Sequence, residues 1–126
     1  ILKTKNLLDC QSWEKVLDLD ELGLDVTELG IDALDNRFLE GPEIFQFNKK
    51  DWHNPNVPEY GIIADQYAIG AGYLPIVTTD LEDVTNAKNS WKILSKEEYS
   101  FDRLKKRHGT ILRITKAEVE RLKKAF

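Results

Sequence analysis

The stretch Tyr60-Gly-Ile-Ile-Ala-Asp-Gln-Tyr-Ala-Ile69, Gly70-Ala-Gly72, Tyr73-Leu-Pro-Ile-Val-Thr-Thr79 decides the fold. Two runs rich in β-branched and aromatic residues flank a three-residue segment with two glycines, and glycine adopts the positive φ that tight hairpin loops need. The spacing predicts an antiparallel hairpin closed at residues 70–72. Its register sets Ile69 opposite Tyr73, Tyr67 opposite Pro75, Asp65 opposite Val77 and Ile63 opposite Thr79. Side chains alternate along a strand, so Ile63, Asp65, Tyr67 and Ile69 share one face while Ile62, Ala64, Gln66 and Ala68 share the other. Proline donates no ladder hydrogen bond, which predicts an edge position for the 73–79 strand.

Upstream of the hairpin, Glu43-Ile-Phe-Gln-Phe-Asn48 is short, aromatic and flanked by turn formers, which predicts a strand. Residues 49–58, with Pro55 and Pro58, form a polar loop. Before Gly41-Pro42 the period becomes helical. Trp13, Val16 and Leu17 stand at i, i+3 and i+4 behind Ser12 as a cap, with Gly23 as a stop. Asp25 and Glu28 have capping-box spacing and lead into Ile31, Leu34 and Phe38.

Downstream, Trp91-Lys-Ile-Leu94 reads as a short strand. Ser95-Lys-Glu-Glu98 has capping-box spacing and opens a helix carrying Phe101, Leu104 and His108 on one face, ended by Gly109. Ile111-Leu-Arg-Ile114 is short and β-rich, and Thr115-Lys-Ala-Glu118 starts a last helix with Val119, Leu122 and Phe126 on one face. The expected fold class is α+β: a single globular domain over residues 1–126 with N-terminal helices, a central antiparallel β-hairpin or sheet, and a C-terminal helix-strand-helix.

Composition supports a folded chain. Of 126 residues, 41% are hydrophobic and 12 are aromatic, enough apolar surface to offset the entropy of ordering. Cys10 is the one cysteine, so no internal disulfide and no multi-cysteine zinc site forms, and a reducing, cytoplasmic location is the expectation. No apolar run approaches the roughly 20 residues of a transmembrane helix, and the first residues lack the apolar core of a signal peptide, so no membrane partner is expected. The net charge of −4 is a difference between two ends: residues 1–90 hold 17 acids and 7 bases, residues 91–126 hold 5 acids and 11 bases. Attraction between two parts of one fold is the simplest use of that polarity.

Known chemical motifs are missing. The acidic stretch from Asp18 fails as a calcium loop, because Leu22 and Leu29 occupy positions that need oxygen donors. The 70–72 segment lacks the third glycine and following helix of a dinucleotide site. Neither a nucleophile elbow nor a metal-ligand spacing is present, and no cofactor is expected.

Three functional expectations follow from what does occur. The first is a protein-binding or regulatory module, of inhibitor or immunity type, that engages another protein. Its binding residues are the acidic Asp18, Asp20, Glu21 and Asp25, together with Trp52, His53, Tyr60, Asp65, Tyr67 and Tyr73 around the loop and hairpin, since interfaces favour tryptophan, tyrosine and charged partners. The second is a metal-independent nuclease or hydrolase, with His53 and His108 as acid and base and Arg107 on the phosphate. The third is nucleic-acid binding through Arg103, Lys105, Lys106 and Arg107 in the basic C-terminal third.

Overall fold

The computed structural model describes residues 1–19, 24, 39–67, 70–83, 85–101 and 107–126. Two antiparallel sheets organise them. The smaller pairs β1 (Leu2–Lys3) with β2 (Glu14–Lys15). The larger is a four-stranded meander of β3 (Glu40–Gln46), β4 (Tyr60–Asp65), β5 (Tyr73–Thr78) and β6 (Trp91–Ile93), which neighbour one another in chain order. Among the described residues helix is sparse: α1 (Ala87–Ser90) is one turn, α2 spans Lys116–Ala125, and single 3-10 turns cover Cys10–Ser12 and Lys49–Asp51. The described residues are therefore mostly β, which corrects the α+β expectation.

The N-terminal correction has a local cause. Residues 12–19 are not α-helical because their backbone pairs with the chain start: Leu2 faces Lys15, and the Val16 N–H donates to the Ile1 carbonyl at 2.9 Å. Ser12 does not cap a helix; its hydroxyl donates back to the Asn6 and Asp9 carbonyls at 3.0 and 2.8 Å. Trp13 is 40% exposed while Leu17 is buried, so the two do not share one buried face. The second expected helix, with Ile31, Leu34 and Phe38, lies outside the described residues.

The central hairpin forms, with a different closure. Asp65 pairs with Tyr73 and Ile63 with Pro75, a shift of four residues from the expected register. The connection is wider than three residues because the Gln66 N–H donates to the Gly72 carbonyl at 2.9 Å, closing a loop over residues 66–72. Gly70 and Gly72 take φ of 58° and 80°, the left-handed conformation that motivated the turn assignment. An even shift keeps the side chains of β4 and β5 on their expected faces. Ile62, Leu74 and Ile76 point to one side and form the core with Leu17 and Trp91, while Ile63, Asp65 and Tyr73 point to the other.

β5 is an interior strand, not an edge, yet Pro75 disrupts no ladder. Its carbonyl accepts from the Leu94 N–H at 3.1 Å, so its ring nitrogen faces the β6 side, just beyond the end of β6 at Ile93. The edges are β3 and β6. Against β4, Phe45 lies opposite Gly61, and a Cβ on that glycine would stand 2.4 Å from Phe45 Cζ, so the glycine makes room for the ring.

The C-terminal helix-strand-helix is corrected in two of its three parts. Ser95 and Glu98 make a turn, with the Ser95 N–H donating to Glu98 Oε2 at 2.9 Å, but residues 99–101 and 107–108 are not helical and His108 has a φ of +52°; Leu104 lies outside the described residues. Residues 111–114 run without a ladder partner, and only the capped α2 matches expectation, with the reciprocal Thr115 and Glu118 capping box in place. No described helix is long and apolar enough to cross a membrane.

Candidate active site

The site stands where β3, β4 and the segment after residue 106 meet. A β-bulge lies between Glu40 and Glu43 on β3, and Gly41 takes a φ of +53° within it. Bulges re-aim side chains. Here the extra residue brings Glu40 opposite Asp65, the last residue of β4. Asp65 is 1% exposed, and its Oδ1 has no hydrogen-bond partner.

Two consecutive residues of the C-terminal segment close over this carboxylate pair. Arg107 donates from Nε to Asp65 Oδ2 at 2.5 Å and from Nη2 to Glu40 Oε1 at 2.8 Å. His108 Nε2 lies 3.2 Å from Glu40 Oε1 and 3.9 Å from Asp65 Oδ2. The hydrogen bond to Asp65 is the main cause that raises the Arg107 guanidinium above its already high ordinary value. Gly41 allows the close approach, since a Cβ there would stand 2.9 Å from His108 Nδ1. Glu40, Asp65 and His108 each offer a ligand-type atom within 4.8 Å of the others, but the cation facing these carboxylates is the Arg107 guanidinium.

The residues expected from sequence scatter. Asp18 pairs with Lys15 at 2.6 Å, and that hydrogen bond lowers its carboxyl below the ordinary value; Asp20, Glu21, Asp25, Arg103, Lys105 and Lys106 lie outside the described residues. Trp52 is half-buried, its indole donating to the Phe47 carbonyl at 3.0 Å with Lys49 Nζ over its ring at 5.9 Å. Tyr73 is 5% exposed, Tyr60 is half-buried and Tyr67 is exposed. Asp65 and Tyr73 thus belong to the sheet interior rather than to an open aromatic surface.

His53 binds Glu59, with Nδ1 3.0 Å from both carboxylate oxygens. Burial opposes ionisation of Glu59, yet the His53 contacts outweigh it and hold the carboxyl below its ordinary value. His53 faces Glu59, which precedes β4, and His108 faces Asp65, which ends it; those two carboxylate positions stand about 20 Å apart along the strand at roughly 3.3 Å per residue. Held at opposite ends of the strand, the two histidines do not reach one phosphate. Sequence reasoning singled out Asp65, Arg107 and His108 separately and missed Glu40, which it read as the end of a helix.

Residues 3–120 match a family described as a probable glycosyl hydrolase domain, related to glycosyl hydrolase family 43. The chain belongs to that family. No match was found among curated proteins or solved structures. Membership in this glycosyl hydrolase-related family overturns the expected regulatory or inhibitor module, and with it both the nuclease and the nucleic-acid binder. Arg107, expected on a nucleic-acid or substrate phosphate, is instead engaged by Asp65 and Glu40.

Proposed function

We propose that the domain acts on glycosidic bonds, with Asp65 and Glu40 as the reacting carboxylates. Glycosidases commonly work with two carboxyl groups flanking the scissile bond: one exchanges a proton with the glycosidic oxygen, and the other stabilises or attacks the electron-poor anomeric carbon. The observation that carries this reading is Asp65, buried at the end of β4 with one oxygen unpartnered and Glu40 directly opposite. A buried carboxylate oxygen without a donor is costly, and an orphaned polar group of this kind is a mark of a functional site. The family description supports the same chemistry.

In this reading Asp65, paired with Arg107 Nε, is the fixed anion beside the anomeric carbon. Glu40, whose side chain is 40% exposed and touches His108, exchanges the proton. Arg107 holds the two carboxylates at a set distance and prevents their mutual repulsion from opening the site.

The test is sugar release from a panel of aryl α- and β-glycosides and polysaccharides. Asp65→Asn and Glu40→Gln each lower kcat by about 100-fold or more on any substrate the unaltered chain cleaves. Full turnover in either variant, or no sugar release by the unaltered chain, overturns the proposal.

A further inference from the structure

We infer that Tyr73 is the positioning residue of this site: its hydroxyl pins the segment 107–113 against the sheet so that Arg107 and His108 meet Glu40 and Asp65. The catalytic part of this inference rests on the glycosidase reading; the positioning part stands on geometry alone.

Residues 107–113 lie along the β3 edge in a constant register. Arg107 donates to Glu40, Thr110 Oγ1 to Glu43 Oε1, and Arg113 Nη2 to Gln46 Oε1 at 2.9 Å and to the Gln46 and Phe47 carbonyls. Three successive pairs share the same offset of 67 residues, so the segment runs parallel to β3 as a strap with a three-residue step. It holds on by side chains, and residues 109–115 carry no strand or helix. Such a strap slides or lifts unless one point is anchored to something rigid.

The anchor is at Gly109, whose N–H donates to Tyr73 Oη. The Tyr73 ring is fixed from several sides. It is 5% exposed, it pairs across the ladder with Asp65, and it packs edge-on against Phe101 at 5.4 Å. A hydroxyl on that ring therefore sits at a set height above the carboxylate it neighbours. Two glycines let the strap approach so closely: a Cβ on Gly109 would stand 2.9 Å from Tyr73 Oη, and one on Gly41 would stand 2.9 Å from His108 Nδ1. Between them His108 takes a left-handed φ of +52°, a conformation that persists in a non-glycine residue when its surroundings impose it. The Gly109 bond on one side and the Glu40 contact on the other impose it here.

The experiment compares Tyr73→Phe, which keeps the ring and its Phe101 contact, with Gly109→Ala, which crowds the same bond from the strap side. The first readout is the NMR signal of Arg107 Nε–H, protected from solvent exchange while it donates to Asp65. Each variant speeds its exchange by about tenfold or more. The double variant is no worse than either single one, since both remove the same link. The second readout is turnover, where kcat falls by about tenfold to 100-fold and KM changes little. Leu8→Ala, at a side chain exposed to solvent, moves neither readout. Unchanged Arg107 exchange in Tyr73→Phe, or additive losses in the double variant, overturns the inference. A chain that cleaves no glycoside overturns the glycosidase reading while the Arg107 readout still decides the strap.

Discussion

Asp83 organises the corner between β5 and β6 with one carboxylate. Its Oδ1 accepts from the Thr85 and Asn86 N–H groups at 3.1 and 3.0 Å, and its Oδ2 accepts from Ser90 Oγ at 2.8 Å. The Asn86 backbone bond is the largest of the causes that hold this carboxyl below its ordinary 3.8. A carboxyl lowered by folding contributes stability above its unfolded value and loses it as pH falls through the lower folded value. The corner therefore loosens in acid below about pH 4. Trp91 reports the event, because its indole N–H donates to the Asp83 carbonyl at 3.0 Å. Hydrogen exchange of that indole, corrected for intrinsic pH dependence, accelerates below about pH 4, whereas in Asp83→Asn it is already fast above that pH and shows no step there. Exchange that tracks only global unfolding would contradict the corner's role. Asp83 was not singled out from sequence, because an Asp in a polar connection looks like any solvated acid until Thr85, Asn86 and Ser90 are placed around it.

Among the elements, α2 is the one whose existence follows from local chemistry. Thr115 caps it, Glu118 returns the bond to the Thr115 N–H, and Lys123 and Lys124 stand in its last turn, where cations favour the helix dipole. None of its residues is buried, and Leu122 and Phe126 are exposed. A helix of 10 residues without a packed face is marginal. Thr115→Ala therefore costs it about 1 kcal/mol of local stability. Backbone chemical shifts over residues 116–125 move toward coil while the thermal midpoint of the sheet stays put; a lowered global midpoint would mean that α2 packs on the core. The N-terminal helix illustrates the opposite case. Its i, i+3, i+4 pattern at Trp13, Val16 and Leu17 was equally good, but the strand from Leu2 competes for the same backbone groups and wins. Periodicity does not see a partner 13 residues away in the chain.

At the scale of the molecule, stability centres on one face of the meander. Leu17 crosses from the small sheet to pack with Ile62, Leu74, Ile76 and Trp91, and Ile76 is fully buried in an interior strand. Ile76→Ala leaves a cavity that its strand neighbours, held by ladders on both sides, do not fill. It costs about 2–5 kcal/mol in denaturant unfolding, read as a lower midpoint at an unchanged slope. A loss below about 1 kcal/mol would show that the core collapses around the gap. The opposite face carries Asp65 and Tyr73, so the core-facing alternation of β4 and β5 also aims the site.

The charge asymmetry acquires a structural meaning at the same scale. Arg107, from the basic end, reaches Glu40 and Asp65 of the acidic end, and Arg113 reaches Gln46 and Phe47. Sequence by itself determined the central hairpin, the sides its residues face, the glycines at its loop and the cap of α2, because those depend on alternation, positive φ and bonds between residues three apart. The site was beyond it. Asp65, Arg107 and His108 were visible as residue types, but nothing local says that a bulge beside Gly41 turns Glu40 toward Asp65, or that a strap 67 residues downstream lies on that edge. Only the tertiary structure decides such pairings, because the free energy of a long-range contact depends on which surfaces the rest of the chain has already brought together.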